Sequence, residues 1–455
     1  MNESPGMAVR NAGRTATWLT YLLIPLVLGC SFFWMYQNLA TSALEIRNFH
    51  ADNRFFESDT IGFSMTLTLA RAPAYSAHRH PFLSLMLKPL GQFAFTHFKN
   101  AYPGRQPVHI RRAALQAATL LSTTFLSFSV IVFFFICLLL CQDILIAVLS
   151  ACFLGFSNVG LFLSYIPESF CYSLFFFGLS YLLFFFCLKH NRLALVGWIT
   201  LSIISFGMTI PNIAQPGLCF LILLYKHYGR DLRGMMRVAT IYAVVVAGVS
   251  GAFIYWQSSS MDLGAPAVDR TVKDLDNYGA WGVLDNPSYF ISTMLRQFVI
   301  APFLSPVPEH RMLMDSRRYF FTYSIWEFTP AGTLAVAGLV SLLAHRLICV
   351  CRKGRKFALR FASWGMLGCL LFNFILHSYY GWGKLPIERN RIDVFLYSAA
   401  WLFPMYYFLL PSPEELARKF HRTVFLSLLA LTTLFTLINN FNAVQHIFST
   451  TKALG

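Results

Sequence analysis

The chain has 455 residues, of which 56% are hydrophobic and only 12% are charged, with a mean hydropathy of +0.55. Soluble chains are about one quarter charged, so this composition excludes an ordinary soluble domain and describes a polytopic membrane protein, for which the usual relation of length to domain count does not hold. The net charge of +16 invites a nucleic-acid reading. That reading is rejected, because the cations sit in short clusters between apolar spans, a pattern that reports orientation in a bilayer and attraction to lipid head groups.

At the N-terminus, Arg10 and Arg14 precede an apolar run from about Thr17 to Tyr36. A signal-peptide core is roughly 7–15 residues, so this longer run reads as a retained first span. Windows near the ~20 residues needed to cross a bilayer place further spans at about 113–140, 144–164, 169–188, 235–257, 331–349, 361–378, 394–411 and 423–440. The stretch 193–225 is interrupted by Pro211-Asn212-Ile213-Ala214-Gln215-Pro216 and flanked by basic residues at both ends. Two short spans joined by that turn keep both ends on one side. Irregular backbone at such depth must face protein or a wet cavity.

The expectation is an all-α polytopic membrane protein with about 11 transmembrane helices, one integral-membrane domain over 1–455. With the N-terminus cytoplasmic, the clusters Lys189/Arg192, Lys226/Arg230/Arg233/Arg237, Arg352/Lys353/Arg355/Lys356/Arg360 and Arg418/Lys419/Arg422 all fall inside. The two longer loops, 39–112 and 258–330, then lie outside. The stretch 81–98 is amphipathic and reads as an interfacial helix with Phe82, Leu83, Leu85 and Met86 toward lipid. All ten Cys lie in or at the ends of spans, so no disulfide framework is implied.

Acids and histidines are scarce, 20 and 12 in the whole chain, which gives weight to their clusters. The first outer loop holds Asp52, Glu57, Asp59, His78 and His80. A carboxylate beside the membrane can act as general base toward a hydroxyl, although any single acid there also suits a solvated loop. Asp59 precedes an apolar stretch through Leu69, so it stands where a surface helix begins. Glu168, in Ile166-Pro167-Glu168-Ser169, lies at the outer end of a span and needs a partner or water; the plainer alternative is that it caps the next helix. The segment His377-Ser378-Tyr379-Tyr380-Gly381-Trp382-Gly383-Lys384 runs on to Glu388-Arg389-Asn390-Arg391 and Phe395-Leu396-Tyr397-Ser398. Its cations run against the positive-inside bias and suit phosphate, and its aromatics suit a sugar ring or the interfacial belt. The loop 258–330 carries no metal-spaced motif. Walker A, HExxH and GxSxG motifs are absent, which favours a donor activated elsewhere and delivered in the membrane.

Taken together, the single span, the acidic first loop and His80-Pro81-Phe82-Leu83, followed by Lys88-Pro89-Leu90, resemble the GT-C superfamily of multi-spanning glycosyltransferases. The stretch from Leu376-His377 to Tyr397-Ser398 is similar to the histidine and aromatic outer loop of some bacterial members. The resemblance implies inverting transfer of a hexosyl or pentosyl group from a polyprenyl-phosphate sugar donor to a glycan or lipid-linked acceptor, outside a bacterial inner membrane. It implies Asp59 as base, with Glu57 and Asp52 as alternatives, and Lys384, Arg389 and Arg391 toward the donor phosphate. His78, His80, Glu168, His377 and Tyr397 would bind substrate. Glu57 and Asp59 are separated by Ser58, whereas many members carry adjacent acids. The choice among the three acids, and any divalent-metal requirement, therefore stay open; no other cofactor is implied. The rival classes are a transporter or flippase of lipid-linked saccharide, and an O-antigen polymerase or ligase working from 258–330.

Overall fold

In this computed structural model the residues described are 5–46, 49–50, 60–69, 86–101, 106–260, 287–288, 294–313, 318–322, 327–351, 357–380 and 394–454. They form an all-α membrane bundle with one short hairpin. The helices are α1 (Pro5–Glu45), α2 (Thr60–Thr68), α3 (Lys88–Lys99), α4 (Pro107–Cys141), α5 (Ile144–Gly155), α6 (Asn158–Tyr165), α7 (Ser169–His190), α8 (Leu195–Met208), α9 (Ala214–Tyr228), α10 (Leu232–Ser260), α11 (Pro330–Cys351), α12 (Phe357–Tyr380), α13 (Leu402–Tyr407), α14 (Pro413–Leu416) and α15 (Lys419–Leu454). The hairpin pairs β1 (Glu309–Leu313) antiparallel to β2 (Arg318–Thr322), with Arg311 opposite Phe320.

Seven helices are long and apolar enough to cross a membrane: α4, α7, α10, α15 and the apolar parts of α1, α11 and α12. The pair α5 and α6, bent by 50°, is together long and apolar enough for an eighth if it forms one broken span. The other stretches expected as spans take different forms. At 14 and 15 residues, α8 and α9 are each about 21–22 Å long, short of the ~30 Å hydrocarbon core. They are joined by a 3₁₀ turn at Ile210–Ile213, where Pro211 and Pro216 interrupt the sequence. The stretch 394–411 is no continuous helix. A 3₁₀ segment (Val394–Ala400) leads into α13, and Ser398, Ala399, Trp401, Leu402, Phe403 and Tyr406 are buried. It threads the protein interior instead of facing lipid.

Enclosure orders the bundle. In α7 the apolar window is 72% buried, against 17% in α10, so α7 is central and α10 peripheral. Phe175 and Tyr172 of α7 meet Phe125 of α4 at 5.4 and 4.9 Å, and a Cβ at Gly178 would meet Phe403 at 3.1 Å. Helices α11 and α15 approach closely because Gly338 faces Thr432 and Gly332 faces Asn439, the small-residue packing that membranes favour.

One end of the bundle is ionic. Arg422 Nε donates to Asp143 Oδ2 at 2.5 Å, and Arg346 pairs with Glu415. Asp143 also caps α5, accepting from the Leu145 and Ile146 N–H groups at 3.0 and 3.2 Å. Burial pushes its carboxyl up, but Arg422 and these N–H groups together hold it below the ordinary carboxylate range.

The other end is built on a non-helical limb. The π-turn Leu295–Ile300 and residues 301–306 dock where α5 breaks into α6. Asn158 N–H donates to the Phe303 carbonyl at 3.0 Å, and Val159 N–H to that of Pro302 at 3.2 Å. Asn158 Nδ2 donates to the Ala301 carbonyl at 2.8 Å. From α15, Asn440 Nδ2 donates to the carbonyls of Phe156 and Phe303, both at 2.8 Å, and its Oδ1 accepts the Ser305 N–H at 2.8 Å. Asn439 Nδ2 donates to the Ser305 carbonyl and its Oδ1 accepts from the Thr329 hydroxyl, each at 2.8 Å.

Leaving a buried polar group unsatisfied costs about 1–3 kcal/mol. Asn440→Ala orphans several at once, so it should destabilise the protein by ~2–4 kcal/mol and expose the limb. The measurements are thermal unfolding in detergent and protease cleavage within 301–306. An unchanged midpoint with an uncut limb would mean that the limb is held by other contacts.

Candidate functional site

Three of the residues singled out in the sequence are described, and all three lie at the limb end of the bundle. His377, in the last turn of α12, is 5% exposed. Its ring lies 4.8 Å from that of Tyr397 and 5.1 Å from that of Trp401. Its Nδ1 is buried with no hydrogen-bond partner among the described residues, a polar atom of the kind that a bound hydroxyl or water satisfies. Tyr397 meets Phe170 edge-on at 5.1 Å, which carries the cluster into the first turn of α7.

Glu168 stands at the head of α7 and is 6% exposed. It occupies the N-cap position with φ −145° and ψ 163°, yet its side chain makes no cap hydrogen bond. The capping alternative is therefore corrected: this buried carboxylate is not spent on the helix backbone. Its main-chain carbonyl accepts from the Cys171 thiol at 2.9 Å.

Further residues join the site: Trp401, Phe298, Gln297, Asn373 and Tyr181 belong to no sequence motif, whereas Phe395, Asn212 and Gln215 fall in stretches that stand out in the sequence. Trp401 stacks on Phe298 of the limb at 4.3 Å and 9°, and its indole N–H donates to the Phe298 carbonyl at 2.8 Å. Gln297, 4% exposed, accepts the Phe395 N–H at 3.4 Å, and Phe395 packs on Phe162 at 5.3 Å. One turn below His377, Asn373 Oδ1 accepts from Gln215 Nε2 at 3.5 Å, and Gln215 Oε1 accepts from the Tyr181 hydroxyl. Asn212, in the turn between α8 and α9, donates to Ser173 Oγ at 3.1 Å. A polar file thus leads from the interior to His377. Asn373 and Tyr181, set within apolar windows, carry no motif, and only their partners reveal them.

The first-loop candidates Asp52, Glu57, Asp59, His78 and His80, and the cations Lys384, Arg389 and Arg391, lie outside the described residues. The helix that starts directly after Asp59 is described, and it corrects an expectation. In α2, Thr60, Phe63, Ser64, Thr66, Leu67 and Thr68 are buried, so it is no surface helix. Gly91 of α3 lies against Leu67, and Phe63 meets Tyr172 at 6.1 Å, one turn into α7 beyond Glu168. In α3, Leu90 and Phe93 are exposed and Gly91 and Ala94 buried; Phe82, Leu83 and Leu85 of the expected interfacial helix lie outside the described residues.

His50 lies at the same end. Its Nε2–H donates to the Tyr165 carbonyl at 2.8 Å, inside a cluster in which Phe49 meets Phe448 at 5.4 Å. Burial disfavours the imidazolium and, against this hydrogen bond, lowers its pKa to about 4. No three His, Cys, Asp or Glu side chains converge on a metal-sized site among the described residues. No family model, curated protein or solved structure matches the chain.

His50 predicts an acid sensitivity. In the unfolded chain it titrates near 6.5, and in the folded protein near 4. Between these values the unfolded state binds more protons, so this stability is full above pH ~6.5 and is lost as pH falls toward ~4, by up to about 3 kcal/mol. His50→Gln keeps an N–H donor for Tyr165 and cannot titrate. Unfolding midpoints at pH 7.5 and 5 should diverge less in this variant; equal losses in the two proteins would assign the titration elsewhere.

Proposed function

We propose that the chain is a GT-C type glycosyltransferase that uses a polyprenyl-phosphate sugar at the limb end of the bundle, which faces outside. The N-terminus and the ionic end are then cytoplasmic, and the interior stretches complete about eleven crossings. The observation that carries this reading is the meeting of His377, Tyr397 and the first turn of α7, headed by the buried Glu168, at the end where α2 begins. These parts come from regions of the chain some 200 residues apart. Aromatic faces, an imidazole and a buried carboxylate suit a hydroxyl-rich ring.

In the proposed step, a first-loop carboxylate, Asp59 before Glu57 and Asp52, takes the proton of an acceptor hydroxyl. The oxygen forms its bond to the anomeric carbon as the bond to the lipid phosphate breaks with inversion. Lys384, Arg389 and Arg391 neutralise the departing phosphate. His78 and His80 orient the acid or bind acceptor.

A specific observation favours a second reading. The interior holds three breaks: the turn between α8 and α9, the bend between α5 and α6, and the 394–411 stretch. Discontinuous helices are a feature of transporters, so a carrier of lipid-linked saccharide is the alternative.

Two measurements separate them. A general base supplies roughly 10²–10⁴-fold in rate. Asp59→Asn should therefore leave an inserted, folded and nearly inactive protein in transfer assays with a polyprenyl-phosphate sugar, with Glu57→Gln and Asp52→Asn milder. Full activity in all three would remove the transferase reading in favour of the carrier.

The cations are tested apart from the base. Losing one charge-assisted phosphate contact costs about 1.5–3 kcal/mol, so Arg391→Ala should weaken donor use with the fold intact. Unchanged donor dependence in the Lys384, Arg389 and Arg391 alanine variants would release this segment from the donor.

A further inference from the structure

Among the described residues, the cations at the ionic end differ in whether a carboxylate meets them. On the α11–α15 side, Arg346 and Arg422 are paired with Glu415 and Asp143. On the opposite side, the α7–α8 and α9–α10 junctions meet where Lys226 Nζ donates to the Leu188 carbonyl at 2.6 Å. These junctions collect Lys189, Arg192, Lys226, Arg230, Arg233 and Arg237 against one carboxylate, Asp231. That carboxylate accepts the Gly234 N–H at 3.0 Å, capping the start of α10. Apart from Lys226, all of these cations are exposed, and none makes an ion pair among the described residues.

The surface beside them is apolar and open. Val196 is 77% exposed, Leu232 63% and Met236 59%. Arg233 and Arg237 are one helical turn apart, which sets their Cβ atoms ~5–6 Å from each other on one face. We propose that this surface is a binding site for an anionic phospholipid whose head group carries two phosphodiesters. The exposed guanidiniums offer forked donors to phosphate oxygens, and the spread of charge over two junctions suits two phosphates better than one. The acyl chains would lie along the exposed flanks of α8 and α10. On the α11–α15 side the two cations that join helices, Arg346 and Arg422, each meet a carboxylate, whereas the exposed cations of these junctions meet none among the described residues.

The test uses the full-length protein in a neutral detergent, titrated with a two-phosphate phospholipid of the cardiolipin type and read by native mass spectrometry. A cation near an anionic lipid is worth roughly fivefold in affinity. The Arg233→Gln/Arg237→Gln variant should therefore bind this lipid roughly tenfold to thirtyfold more weakly. Arg418→Gln/Lys419→Gln, which removes two exposed cations beside the paired group, should bind like the native protein. Equal binding by the first variant would overturn the site, and an equal loss in both would reduce it to general charge attraction. Inorganic phosphate should leave the bound lipid in place; its displacement at matched concentration would make this a free-anion site and overturn the lipid assignment. Unfolding midpoints without lipid should be unchanged, because all four side chains are exposed. Should the midpoint of Arg233→Gln/Arg237→Gln fall, Arg233→Lys/Arg237→Lys replaces it; this variant keeps the charge but loses the forked donors, so it should bind more weakly, and binding equal to the native protein would overturn the guanidinium site.

Discussion

Inside a bilayer every main-chain polar group must find its partner within the protein, and the limb 301–306 meets that constraint without a helical ladder of its own. The carbonyls of Ala301, Pro302, Phe303 and Ser305 and the N–H of Ser305 are satisfied by Asn158, Val159, Asn439 and Asn440. Two helices separated by nearly 300 residues are thereby fastened to one strip of irregular chain. The consequence reaches the site. With the limb fixed, Phe298 presents its ring and carbonyl to Trp401, and Trp401 in turn backs His377. The imidazole is positioned by a chain of contacts whose anchor is a pair of asparagines in α15.

Much of the helical architecture is legible in the sequence because hydropathy reports the solvent of a segment. Windows of about twenty apolar residues mark α4, α7, α10, α11, α12 and α15, and the Pro-Asn-Gln stretch marks the α8–α9 turn. The 394–411 stretch misleads for a physical reason. Apolarity is the same whether a segment faces lipid or the interior of the bundle, and Trp401, Phe403 and Tyr406 face the interior. The apolar run after Asp59 misleads in the same way, since α2 lies under α3 and against α4 and α7. The bend between α5 and α6 arises from packing that no window detects: Gly155 lies against Phe32, and its carbonyl accepts the Tyr36 hydroxyl at 2.8 Å.

Of the site, scarcity makes Glu168 and His377 legible. A carboxylate or imidazole at the edge of an apolar span is costly and therefore conspicuous. The aromatic wall around them is not, because Phe and Trp are frequent throughout a chain with 46 Phe. The 258–330 stretch is the least legible of all. Gln297 and Phe298 look like any residues of a long loop, and only their bonds to Phe395 and Trp401 reveal them as part of the limb end.

The two ends of the bundle solve different electrostatic problems. At the ionic end, opposite charges join α15 to the α4–α5 junction and α11 to α14; Arg422 stays open to solvent, whereas buried Arg346 is met by the Glu415 carboxylate. At the limb end His377, Asn373, Gln215 and Gln297 are buried, while the limb's own turn carries Arg296. Neutral groups can be buried at modest cost if bonded, whereas burying a charge costs far more. A site for a lipid-borne sugar must be entered from the bilayer and still bind hydroxyls, and amides with aromatic faces meet both demands. In that setting Glu168 is a carboxyl group only 6% exposed. Its carboxylate is withheld from the helix N–H groups beside it, although an N-cap position is where those groups are easiest to reach. Under the proposed transfer the sugar or its acceptor meets this end of the bundle, where the first turn of α7 reaches Tyr397 through Phe170.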